Sequence, residues 1–176
     1  MPASTWKRSV LKVLCAVLAL AGAARASAEP RHLRLFNTHT GKHLDLIYRI
    51  GETPVAGALA DLQHFLCDHR NDQERAFDPA LFDILTDLAH RVGRDHCEFH
   101  VISGYRSPAS NETLRATRTG VAKHSLHMAA RAMDIRLPGT PTALLRDTAL
   151  AMARGGVGYY RSLDFIHVDT GPVRRW

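Results

Sequence analysis

His127 and Asp134 stand seven residues apart in Ser125-Leu126-His127-Met128-Ala129-Ala130-Arg131-Ala132-Met133-Asp134, and a second histidine lies in the short apolar run Phe165-Ile166-His167-Val168-Asp169. Two imidazoles and a carboxylate form a ligand set suited to zinc, with a fourth position left for water. That open position separates a catalytic zinc site from a structural one. Such a set requires the C-terminal run to lie beside the middle of the chain. Ala132-Met133-Asp134-Ile135 reads as the end of a strand, so Asp134 would project from a rigid element. The spacing alone is weak, because a single histidine in a strand is more often simply packed there.

Residues 1–28 read as an export signal rather than as structure. Lys7, Arg8 and Lys12 precede a short alanine-rich apolar run, and Ala26-Ser27-Ala28 is a small-x-small cleavage site, which places the mature start at Glu29. The run is short for a membrane span, so no stable membrane insertion is expected once it is cleaved. Lys7-Arg8 also resembles a degenerate twin-arginine signal, leaving the Sec and twin-arginine routes both open. Four of the 23 basic residues and none of the 17 acidic ones lie in this segment, so the remainder carries a net charge of only +2. The basic composition is therefore partly a property of the leader and gives no support to nucleic-acid binding. Residues 29–176 suffice for a single domain with a real core. Cys67 and Cys97 remain after the leader, and an exported chain permits either a disulfide or two thiols.

Leu33–Asn37 and His43–Tyr48 read as a hairpin around a turn containing Gly41. Val55 to about His69 reads as a helix. Asp78-Pro79 opens a second helix, with Asp as N-cap and Pro at the first helical position, and Gly93 stops it. Glu98–Ser103 reads as a strand running into Gly104, which leaves Arg106 on a loop held by that strand. A guanidinium there can grip a carboxylate or stabilise a tetrahedral oxyanion. Pro141 to about Arg154 reads as a third helix ended by Gly155-Gly156. Val157–Tyr160 and Phe165–Val168 then form a hairpin that delivers His167.

Taken together, SGYRSP, a following Asn111, GVA, SLHMxxxAxDI, GGVGYY and FIHVDTGPVRRW resemble the zinc D-Ala-D-Ala peptidase superfamily, the lysostaphin/D-Ala-D-Ala peptidase/hedgehog group. More narrowly they resemble the periplasmic murein endopeptidases of the MepK type, from about Leu33 to Trp176. The resemblance implies an α+β fold: a small antiparallel sheet bearing a zinc site, flanked by helices. It implies His127, Asp134 and His167 as ligands, Zn2+ as cofactor, Arg106 as a substrate and transition-state contact, and peptidoglycan peptide as substrate. It further implies cleavage next to meso-diaminopimelate, in 3-3 and also 4-3 cross-links. The family usually has Gly where Ala130 stands, a position that would be strained at positive φ.

A general base must complete the chemistry. Asp164, three residues before His167, matches the acid-x-x-His spacing of several superfamily members. Asp169 competes, because alternation places it on the same strand face as His167, either as base or as an orienting partner. A D,D-carboxypeptidase or dipeptidase, and a non-catalytic zinc-dependent binding module, are the alternatives to an endopeptidase.

Overall fold

The computed structural model describes residues 29–176, so the expected export signal lies outside the described residues. Alternating burial builds the first hairpin. β1 (Pro30–Asn37) buries Leu33, Leu35 and Asn37 and turns Arg34 outward. It pairs antiparallel with β2 (His43–Ile50), whose buried Tyr48 donates its hydroxyl to Asp83 at 2.8 Å. A two-residue β3 (Thr53–Pro54) extends the edge of β2.

α1 (Ala56–Phe65) stops short of the His69 expected from its apolar spacing. The reason is tertiary. Asp68 leaves the helix, pairs its backbone N–H with the Gln73 carbonyl, and turns its buried carboxylate to the Ser107 and Arg70 amides at 2.8 and 3.2 Å. α2 (Pro79–Arg91) begins as the sequence predicts: Asp78 accepts the Ala80 amide at 3.1 Å, with proline in the first turn. It presents Leu81, Phe82, Leu85 and Leu88 to the core and ends before Gly93, whose φ is +70°.

β4 (Phe99–Ser103) leads to α3 (Pro108–Thr117), which Ser107 caps by accepting the Ser110 amide. β5 (Ala132–Arg136) precedes α4 (Thr142–Met152), which ends on left-handed Ala153, ahead of the expected glycine pair. β6 (Gly156–Tyr160) and β7 (Phe165–Asp169) form the expected hairpin, and β8 (Arg174–Arg175) closes the chain.

The fold is mixed α/β, and the sheet is neither small nor wholly antiparallel. It has eight strands in the order β3-β2-β1-β4-β5-β7-β6-β8, with β1 parallel to β4 and β6 parallel to β8. Parallel neighbours need a crossover. Here α1 and α2 intervene before β4 is laid beside β1, and the tail crosses from β7 to the far side of β6. Leu35, Phe99, Val101, Met133, Ile135 and Ile166 of the sheet share one apolar cluster with Leu62, Leu81, Leu85, Leu88 and Leu145 of the helices. Cys67 and Cys97 are free thiols, and burial pushes the Cys67 thiol up.

Asp68 is the buried joint between the loop after α1 and the start of α3. Burial pushes its carboxyl up, but donors from Ser110, Ser107 and Arg70 outweigh that and hold it at about 2. A depressed carboxyl contributes stability that is full above its ordinary value of 3.8 and is lost as pH falls towards 2. Asp68→Asn is therefore expected to lower stability at neutral pH by about 1.5–3 kcal/mol, with the gap to the parent closing across that acid window. Urea melts at pH 7 and pH 2.5 test this; an equal loss at both would show that the charge is not the source.

Candidate metal centre

Three separate elements deliver the candidate ligands. His127 lies in a single 3-10 turn, Leu126–Ala129, which Ser125 caps by accepting the His127 amide at 3.3 Å. Ala130 ends the turn in the left-handed region, φ 52°, with no exposed surface. A non-glycine residue there costs about 1–2 kcal/mol, and the bend lets the chain enter β5 within two residues. Asp134 then projects from β5, directly opposite His167 on β7. Two of the three expected ligands, Asp134 and His167, are thus cross-strand neighbours.

His127, Asp134 and His167 are all buried, and each offers one ligand atom such that these atoms lie within 4.8 Å of one another. Asp134 Oδ1 is 2.9 Å from His167 Nδ1 and 3.3 Å from His127 Nε2, and the two ring nitrogens are 3.2 Å apart. The other nitrogen of each ring is already engaged. His127 Nδ1 meets the Gly104 carbonyl at 2.8 Å, and His167 Nε2 meets Asp169 Oδ2 at 3.0 Å. A carbonyl and a carboxylate accept only, so these outer nitrogens carry the protons. With a cation bound, the lone pairs of His127 Nε2 and His167 Nδ1 would point at one centre beside Asp134, the arrangement by which outer contacts orient metal-ligating histidines; without one, the proton of an inner nitrogen is donated to Asp134 Oδ1. Among the described residues this is the one group of histidine, cysteine and acidic side chains that could hold a metal ion, and its chemistry fits zinc.

The charges are mutually supporting. Burial would raise the Asp134 carboxyl, but the two imidazoles overcome it and hold it well below the usual carboxylate range. Burial would lower His167, but Asp134 and Asp169 overcome it and raise the imidazole.

Arg106 joins the same site. Its loop rests on Gly104, where a Cβ would come within 2.8 Å of the Leu66 carbonyl; Tyr105 N donates to that carbonyl at 2.9 Å. Only glycine permits this approach. Asn111 Oδ1 and Ser103 Oγ accept from the guanidinium at 3.3 and 3.4 Å, and its Nη2 lies 4.0 Å from Asp134 Oδ2. Burial lowers its pKa and Asp134 opposes this, but a guanidinium remains a cation in either case.

The two candidate bases are placed differently from one another, and neither faces the open cleft. Asp164, at φ 53° between the 3-10 turn Arg161–Leu163 and β7, has a side chain 66 % exposed. Its carboxylate is bonded to Thr142 Oγ1 and lies 3.8 Å from Arg136. The structure does not bring it to the other residues. Asp169 is buried and saturated: Oδ1 accepts from Gly156 N, Gly171 N and Arg174 Nη1, and Oδ2 from His167 Nε2 and Arg174 Nη2. Burial would raise its carboxyl; these donors hold it far below its ordinary value. It is a support behind His167. Of the remaining histidines, His39 stacks on His69, His43 pairs with Glu98, and exposed His124 lines the cleft.

The cleft over the centre has a volume of about 300 Å³. It is lined by the three candidate ligands, Arg106, and a second set that sequence reasoning did not single out: Tyr160, Arg174 and Trp176. The FIHVDTGPVRRW motif contains two of these, but periodicity has nothing to read in a terminal strand of two residues.

Arg174 touches Asp169 rather than a candidate ligand, so Arg174→Ala should leave the chain folded and weaken metal binding at the candidate centre by less than the about 10- to 100-fold that loss of a ligand's direct partner costs. Competitive chelator titration measures it. An unchanged metal affinity would mean that the Gly156 and Gly171 amides suffice to hold Asp169.

Residues 25–176 match the family described as peptidoglycan L,D-endopeptidase MepK. The chain is 41% identical over 154 residues to the peptidoglycan L,D-endopeptidase MepK of Escherichia coli strain K12, covering 88% of this chain and 84% of that one. It is 36% identical over 151 residues to the probable peptidoglycan L,D-endopeptidase MepK of Haemophilus influenzae, covering 86% and 81%. The chain therefore belongs to the MepK-like peptidoglycan endopeptidase family of the M15 peptidase group.

Proposed function

We propose that this protein is a zinc-dependent endopeptidase that hydrolyses peptide cross-links of peptidoglycan in the periplasm. The reading takes the cleavage to be next to meso-diaminopimelate, in 3-3 and also 4-3 links. One observation carries it: His127 and His167 each have the outer nitrogen engaged, leaving the inner nitrogens and Asp134 converged at the floor of an open cleft. Family membership supports the substrate class.

His127 Nε2, Asp134 and His167 Nδ1 would hold the metal, with Asp169 fixing the His167 ring and Gly104 the His127 ring. A bound zinc ion lowers the pKa of its water towards neutrality and polarises the scissile carbonyl. Arg106, held by Asn111 and Ser103 beside Asp134, would supply fixed positive charge to a developing tetrahedral oxyanion. Among the described residues Asp134 is the only acidic side chain lining the cleft, so Asp164 is given no proton transfer and Asp169 a positioning role. Asp164→Ala is accordingly expected to keep activity within about threefold of the parent. A loss of a hundredfold or more with zinc retained would restore Asp164 as the base. Export through a cleaved signal at 1–28 accounts for the location. Among the described residues no helix is long and apolar enough to cross a membrane.

The test is a digest of purified peptidoglycan sacculi, with and without chelator, with muropeptides identified by mass. Conversion of cross-linked dimers to monomers, abolished by chelator and by His127→Ala, is the expected result. Release of terminal D-alanine from intact dimers would identify a carboxypeptidase instead. Stoichiometric zinc with no product of either kind would identify a binding module.

A further inference from the structure

Trp176 is held through both its backbone and its side chain. β8 lies parallel to β6, and Trp176 continues it: Tyr159 N donates to the Trp176 carbonyl at 3.0 Å, and Trp176 N donates to the Val157 carbonyl at 3.3 Å. The indole is held on several sides as well. Its Nε1 donates to the Tyr160 hydroxyl at 3.1 Å, the Arg174 guanidinium stands 5.0 Å from the ring, and the His167 ring is 5.1 Å away. β6 has glycine beneath it at Gly158, where a Cβ would come within 2.6 Å of Trp176 Cε2. The strand gives up a side chain so that the indole can lie against it.

Even so, Trp176 is 51% exposed, and it lines the cleft that holds Arg106, His127, Asp134 and His167. A large apolar ring that keeps half its surface in water has not been placed to complete the core. Because its rotamer is already fixed, a ligand that covers it loses little further conformational entropy, which is what makes an immobilised aromatic ring a good contact.

We propose that Trp176 is a substrate-contacting residue that forms the cleft wall on the His167 side, packing its open face on the hydrocarbon stem of a peptide residue flanking the scissile bond. The inference rests on the peptidase reading above and adds a binding determinant to it. The part of the substrate concerned is recognised by apolar contact, so its removal weakens binding rather than chemistry.

The chain contains two tryptophans, Trp6 and Trp176. In the full chain carrying Trp6→Phe, indole emission therefore reports on Trp176 alone. Titrating the chelator-treated form of this protein with a purified cross-linked muropeptide dimer should shift or quench that emission saturably, with the same midpoint that calorimetry gives for binding. In the zinc-loaded enzyme, Trp176→Ala should raise KM for the dimer about tenfold while kcat stays within about threefold. Trp176→Phe should recover most of the loss, and zinc stoichiometry should be unchanged in both. Binding by calorimetry with unaltered emission would overturn the proposal, as would an unchanged KM in Trp176→Ala. If Trp176→Ala fails to fold, the emission titration decides the matter on the intact residue. Failure of the unaltered protein to cleave dimers would overturn the peptidase reading and this inference with it. Normal cleavage with silent emission overturns only the inference.

Discussion

Asp134→Asn is expected to yield a folded protein that no longer retains zinc and no longer converts cross-linked dimers to monomers. Asp134 Oδ1 is the acceptor shared by both candidate ligand nitrogens, at 2.9 and 3.3 Å. Asparagine has nearly the same shape, so β5 and its pairing with β7 should survive. What is lost is the negative charge that the two imidazoles hold ionised in a buried setting. Losing an outer partner alone lowers metal affinity about 10- to 100-fold, so losing the single anionic ligand should exceed a hundredfold. The measurements are zinc affinity by competition with a chelator, the muropeptide digest, and far-ultraviolet circular dichroism as a check on folding. A variant that binds zinc as the parent does would remove Asp134 from the centre and with it the proposed ligand set.

Arg106→Ala should have the next largest effect, and a different signature. Metal affinity should be little changed, because Arg106 contacts Asp134 only at 4.0 Å and through the oxygen that faces away from the two histidines. Turnover should fall about 10²- to 10³-fold, the cost of removing one donor to a developing oxyanion. Arg106→Lys should recover only part of this. A single ammonium cannot reproduce the planar fork that Asn111 and Ser103 hold in place. Separate kcat and KM values decide the role. A rise in KM with kcat preserved would mean that Arg106 grips substrate equally in the ground and transition states.

The two variants probe different halves of one arrangement. Gly104 links them physically: its carbonyl engages His127 Nδ1, and its missing side chain lets the Arg106 loop rest on Leu66. The loop that presents the cation is thus also the partner that orients a ligand.

Much of this protein was legible in its residues. Local rules sufficed for the first hairpin, for the Asp78-Pro79 start of α2, and for the strands that carry Asp134 and His167. In each, the determining contacts lie a few residues apart. The likeness of SGYR, SLHM and FIHVD to a peptidase family also singled out the three residues that the fold brings together. Tertiary structure alone decided what depends on distant neighbours. α1 ends early because Asp68 satisfies the Ser107 amide, 39 residues away. The sheet is mixed because two helices return the chain beside β1. The acids at 164 and 169 have the same chemistry, and their spacings to His167 are both plausible. Only the fold buries one beneath Arg174 and turns the other outward. Trp176 is the extreme case: it adjoins a strand of two residues, too short to show a period, and its place in the cleft follows from backbone pairing with β6.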